Sequence, residues 1–179
     1  MRTALREQET HLFYHLKGKR VEFESTIRAT HRKLKRKIFR WIVVDRPQNF
    51  ATGPIIYSLI FPLAILDLCV TLYQVLCFPV YKIAKVRRSD YIIFDRQHLE
   101  YLNAFERFHC TYCAYATGLL VYTSEIAART EQYFCPIKHA HRILGSHARY
   151  ERFLDYGDAT AYHGRLEEFR VALEQEKGR

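Results

Sequence analysis

Three cysteines and a histidine, Cys110, Cys113, Cys135 and His139, are the residues of this 179-residue chain whose types and spacing could do chemistry. Zinc takes thiolate sulfur and imidazole nitrogen in a tetrahedral shell, and the pairs Cys-x-x-Cys and Cys-x-x-x-His each bring two ligands through short local chain. Four ligands close that shell, which marks a structural site; a catalytic zinc keeps a position open for water. The expected metal is zinc, with iron the other metal that thiolates hold. Pro136 favours a helix start just after Cys135, and His139 follows by one turn, so sulfur and imidazole can point the same way. The twenty-one residues between Cys113 and Cys135 leave room for a helix out and a turn back. Two other uses compete. Free cysteine is among the most buried residue types and is often inert. A dithiol would instead use Cys110 at a helix beginning as a stabilised thiolate, with Cys113 resolving the mixed disulfide.

The elements that must position these residues read as helices, and the expected class is all-α: a membrane-inserted helical segment plus a small helical domain. Three regions follow. Residues 1–46 form a basic amphipathic region, 47–81 a membrane-embedded segment and 82–179 a helical Cys/His domain. In the first, Phe23, Ile27, Leu34, Ile38 and Trp41 recur at three and four, with Arg28, Arg32, Lys35, Arg36 and Arg40 around them, so a helix from Val21 to Ile42 suits a membrane surface. In the third, helices are expected near Gln97–Phe108, Thr111–Tyr133, Pro136–Tyr150 and Ala159–Glu176. The last places Tyr162, Leu166, Phe169 and Leu173 on one face.

From Pro47 to Tyr81 a run of thirty-five residues carries one formal charge, Asp67. A helix crosses hydrocarbon with about 20 mostly apolar residues. Thr52-Gly53-Pro54 reads as the helix start and Pro62 as a kink. Asp67, Thr71 and Gln74 fall at i, i+4 and i+7 and share a face. A carboxylate at mid-membrane costs about 2.5–3.5 kcal/mol on insertion scales, so this stripe should face protein, as a contact for a membrane-protein partner or a second copy. Basic residues flank both ends of the run. The positive-inside bias is therefore small, and a single crossing with the amino terminus inside competes with a re-entrant segment bent at Pro62.

Lys and Arg exceed Asp and Glu by 28 to 19, a formal charge of +9, and they bracket the apolar run. That distribution points to anionic lipid headgroups, each basic residue contributing about 1 kcal/mol near such a leaflet. Nucleic acid ranks last among the partners. Residues 1–11 are charged throughout, without the apolar core of a secretory leader, so the chain is expected to keep its start near Met1. Five cysteines cannot all pair within one chain. Reduced thiols place the soluble part in the cytosol, at the inner (cytoplasmic) membrane.

Around Cys110-Thr-Tyr-Cys-Ala-Tyr-Ala-Thr-Gly118 and Glu131-Gln-Tyr-Phe-Cys-Pro-Ile-Lys-His139 the chain resembles a group of small bacterial membrane-associated proteins. The resemblance covers its central third to half and implies no activity and no catalytic residue. Asp95-x-x-His98 and Glu106-x-x-His109 share the spacing of di-iron carboxylate ligands, but both lie in one local segment where a bundle needs two helices. Glu125 and Arg129 read as a helical i, i+4 ion pair, and His141 and His147 as solvated. The expected role is a membrane-anchored, metal-binding accessory or assembly subunit. The alternative is a membrane-associated oxidoreductase using a metal or dithiol on a lipid or quinone-like substrate.

Overall fold

A computed structural model describes residues 14–17, 20–23 and 48–176. The class is all-α, with a small antiparallel hairpin beside the helices. The chain divides into two compact units: residues 1–59 with 93–115, and residues 60–92 with 116–179.

In the first unit, strands β1 (Tyr14–Lys17) and β2 (Arg20–Phe23) pair with Tyr14 opposite Phe23 and Leu16 opposite Val21. Apolar residues alternate with polar ones here, and aromatic and β-branched side chains suit a pleated strand. Of the helix expected from Val21 to Ile42, only Val21–Phe23 falls among the described residues, and there it is strand; the remainder, with Trp41 and the basic face, lies outside them. Helix α1 (Gln48–Ser58) starts one turn before the expected Thr52-Gly53-Pro54. Helix α3 (Ala104–Phe134) begins in this unit on a capping box. Asn103 Oδ1 accepts from the Glu106 N–H at 2.9 Å, and the Glu106 carboxylate accepts from the Asn103 N–H at 2.8 Å, satisfying two donors that a helix start leaves open. Glu106 is thus engaged by its own helix end.

In the second unit, helix α2 (Ile60–Val80) follows a lapse of the helical pattern at Leu59. The cause is Pro62, which cannot donate to the Ser58 carbonyl and crowds it. At its other end α2 closes with a Schellman motif: the Ile83 N–H reaches the Phe78 carbonyl at 2.9 Å, and the Lys82 N–H reaches that of Pro79 at 3.3 Å. Lys82 takes the left-handed conformation, φ 56°, and Ile83 and Phe78 are both buried.

The chain then returns along buried Ile83, Ala84, Val86 and Ile92. Where it passes α3, a Cβ on Gly118 would stand 2.7 Å from the Tyr91 carbonyl oxygen, so only glycine admits that approach. Within this unit α3 buries Leu119, Tyr122, Ile126 and Ala128. Helix α4 (Ala159–Gln175) buries Leu166, Phe169 and Leu173, as the sequence stripe requires. Phe153, Leu154 and Phe169 form a cluster beside Tyr150 and Tyr162.

Three expected helices differ. Gln97–Phe108 and Thr111–Tyr133 are replaced by α3, preceded by a 3-10 turn at Arg96–His98. Pro136–Tyr150 is not helical. Its first residues are extended, because the Leu154 N–H donates to the Pro136 carbonyl at 2.8 Å and the Lys138 N–H to the Leu154 carbonyl at 2.7 Å.

By length and composition, Ala51–Val80 is long and apolar enough to cross a membrane, the one such helix among the described residues. Among the described residues, none of its most apolar window is buried.

Candidate functional site

Helix α2 is inverted relative to a water-soluble helix. Ile65, Leu68, Leu72 and Leu76 are 51–65% exposed, while the residues it buries are Gln74 and Phe78. A soluble helix hides its apolar face and wets its polar one.

The polar stripe points inward. Gln74 is 5% exposed; its Oε1 accepts from the Val86 N–H at 2.6 Å, and its Nε2 donates to the Val86 carbonyl at 3.3 Å and to Tyr122 Oη at 2.9 Å. Asp67 forms an ion pair with Arg88, and Thr71 Oγ1 stands 3.5 Å from the same carboxylate. Asp67, Thr71 and Gln74 were expected to meet a partner or a second copy. All three have hydrogen-bond or ion-pair partners within the chain. One helical turn beyond Gln74, Phe78 continues the inward face.

The four expected metal ligands are placed differently from the sequence expectation. Cys110 and Cys113 are half-buried on α3 in the first unit, whereas Cys135 and His139 are exposed in the second. The twenty-one residues between Cys113 and Cys135 are continuous helix, with no turn back. Among the described residues no group of three or more His, Cys, Asp or Glu side chains is placed to hold one ion. Pro136, which suggested a helix carrying His139, instead pairs with Leu154, and His139 offers its backbone N–H to Tyr150 Oη at 2.6 Å.

A charged cluster that the sequence only hinted at occupies the second unit. Arg129 and Glu125 do pair at 2.9 Å, but with side chains 13% and 17% exposed this is no surface ion pair. Arg149 joins them, donating to Glu125 at 2.7 Å, to Gln132 at 2.8 Å and to both oxygens of Glu176 at 2.9 and 2.8 Å. Arg129 also reaches the Ala84 carbonyl at 2.7 Å. Burial alone would lower the pKa of the Arg149 guanidinium; its hydrogen bonds to Glu176 and Glu125 reverse that and hold it above the ordinary arginine value. The hydrogen bond from Arg149 holds Glu176 below the ordinary carboxylate value. Paired, hydrogen-bonded charges of this kind fix geometry. The sequence signal was the Glu125–Arg129 spacing; nothing local pointed to Arg149 or Glu176.

His147, expected to be solvated, is 15% exposed and sits 2.8 Å from Glu131. In the first unit, Tyr57 Oη and His109 Nδ1 are 2.9 Å apart, and the Tyr57 ring meets Phe105, Phe108 and Tyr112. Tyr112 Oη donates to the Ile56 carbonyl at 2.7 Å. Neither pairing has a sequence signature, since the partners stand more than fifty residues apart. No protein-family model, curated protein or solved structure matches the chain.

Proposed function

We infer that this protein is a membrane-anchored accessory or assembly subunit, held in the bilayer by Ala51–Val80 and presenting a small helical unit at the membrane face. One observation carries the reading: α2 turns Leu68, Leu72 and Leu76 outward and Gln74 inward. In water that arrangement exposes apolar surface at about 25 cal/mol per Å², whereas in hydrocarbon it is the favourable one. The alternative of a core helix would need that surface covered, and the described residues leave it open. Lys82, Lys85 and Arg87, all exposed just beyond α2, stand where anionic headgroups would attract them. The inner bacterial membrane, with the reduced cysteines facing the cytosol, is the location that fits five unbridged thiols best.

The anchor reading needs no metal. A metal held by Cys110, Cys113, Cys135 and His139 would be an addition to this reading, and the reading does not depend on it.

The test is partitioning of the full chain into vesicles of phosphatidylethanolamine and phosphatidylglycerol, followed by alkaline carbonate washing and flotation. Wild type should float with lipid, and a Leu68→Glu, Leu72→Glu, Leu76→Glu variant should be released while keeping its helical circular dichroism. A wild-type chain that stays monomeric and soluble without detergent would overturn the reading.

A further inference from the structure

A cavity of about 380 Å³ lies within the first unit, walled by Gly53, Ile56 and Tyr57 of α1 on one side and by Leu102, Phe105, Glu106, His109 and Cys110 on the other. The volume is at the small end of the about 300–1,000 Å³ that ligand pockets occupy, enough for a ring with short substituents and too little for a two-chain lipid. Three aromatic rings and two aliphatic side chains make the lining mostly apolar. Its polar features are the Tyr57–His109 pair, the Cys110 thiol and Glu106, whose carboxylate accepts from the Asn103 N–H.

That pair has a property independent of tautomer. If the phenol donates to Nδ1, the imidazole carries its proton on Nε2 and remains a donor, while the phenol oxygen still accepts. If Nδ1–H donates to the phenol oxygen, the phenol proton is the free donor and Nε2 accepts. Either way, one donor and one acceptor remain beyond the shared bond.

Gly53 supplies a second observation. A glycine inside a helix is about 1 kcal/mol less favourable than alanine. Here packing does not require it: an added Cβ would meet a single atom, Tyr57 Cε2, at 4.0 Å. The missing side chain leaves the cavity wall bare.

We propose that this cavity binds the head of a lipid-soluble quinone-class molecule, a planar ring bearing carbonyl or hydroxyl groups on an apolar tail. The aromatic lining suits the ring face. The oxidised head accepts a hydrogen bond from the pair's donor, and the reduced head donates to its acceptor, so both forms are accommodated. Gly53, Ile56 and Tyr57 belong to the apolar helix Ala51–Val80, which gives a tailed ligand a route from the hydrocarbon. Only this route rests on the membrane reading.

The experiment uses the full-length Cys110→Ser chain in lipid nanodiscs, so that the cavity thiol cannot add to the quinone ring, and a photoactivatable azido-benzoquinone with a ten-carbon tail, its light-dependent attachment mapped by mass spectrometry. Labelling should concentrate at residues 53–57 and 102–109, and excess decyl-benzoquinone should suppress it while decylbenzene should not. Gly53→Leu, which fills the cavity, and Tyr57→Phe, which removes the pair, should each reduce that labelling by about fivefold to tenfold. Gly53→Ala serves as the folding control and should retain wild-type helicity. Uniform labelling along the exposed face of α2, equal competition by decylbenzene, or unchanged labelling in Gly53→Leu would overturn the proposal. Failure of the chain to float with vesicles is read separately, because the soluble chain can be titrated with the same probe.

Discussion

Gln74 treats Val86 as a strand would, accepting from its N–H at 2.6 Å and donating to its carbonyl at 3.3 Å. The side-chain amide thereby satisfies both backbone groups of a buried residue on the segment that returns from α2. A remaining donor hydrogen reaches Tyr122 on α3.

Replacing Gln74 by leucine should therefore destabilise the protein, even though leucine suits an apolar helix. Two buried backbone groups lose their partner, at about 1–3 kcal/mol each for an unsatisfied group. Thermal unfolding in detergent, followed by circular dichroism, should show a clear drop for Gln74→Leu and a smaller one for Tyr122→Phe, which loses a single bond. Equal melting of Gln74→Leu and wild type would refute the assignment.

Two glycines should respond to alanine with opposite signs. At Gly118 the new Cβ meets backbone atoms of Tyr91 and Ile92 at 2.7 and 3.0 Å, and the helix must shift away, costing about 1–3 kcal/mol. Gly164, inside α4, has nothing within 4 Å, and alanine there should stabilise by about 0.5–1 kcal/mol. Denaturant midpoints of the two variants, one below and one above wild type, check both.

Acid should weaken the Arg149 cluster before alkali does. The folded pKa of Glu176 lies below its ordinary 4.5, chiefly because of the hydrogen bond from Arg149. The unfolded chain then binds that proton more readily. The stability it contributes is fully present above about pH 4.5 and is lost as pH falls through the lower folded value. Arg149 is raised and keeps its charge throughout the neutral and alkaline range. A melting-temperature profile from pH 7 to pH 3 should fall less steeply for Glu176→Gln, which starts lower, than for wild type.

Metal content should not depend on Cys135. Elemental analysis of wild type beside Cys135→Ser should give the same zinc and iron, since the continuous helix 104–134 intervenes between Cys113 and Cys135. One equivalent of metal lost on that substitution would show that the chain reaches an arrangement in which α3 is interrupted.

Local pattern carried much of the fold. The lone charge Asp67 in thirty-five residues located the apolar helix, and its spacing with Thr71 and Gln74 put three polar groups on one helix face, of which Gln74 is buried. The stripe Leu166, Phe169, Leu173 likewise located the buried face of α4. Both follow from helical periodicity, which depends only on residues three or four apart.

What meets those faces was settled by tertiary structure alone. The partner of Gln74 is a backbone twelve residues on and a tyrosine forty-eight residues on, and Arg149 finds Glu125 and Glu176 at separations of 24 and 27. A buried polar group announces that it needs a partner; it does not say which distant segment supplies it. Cys110, Cys113, Cys135 and His139 show the converse: ligand spacing states only what could converge, and it did not show that the residues between Cys113 and Cys135 are one continuous helix. Nor could periodicity foresee that Pro136–Lys138 would stay extended, since that depends on Leu154 arriving to bond its backbone.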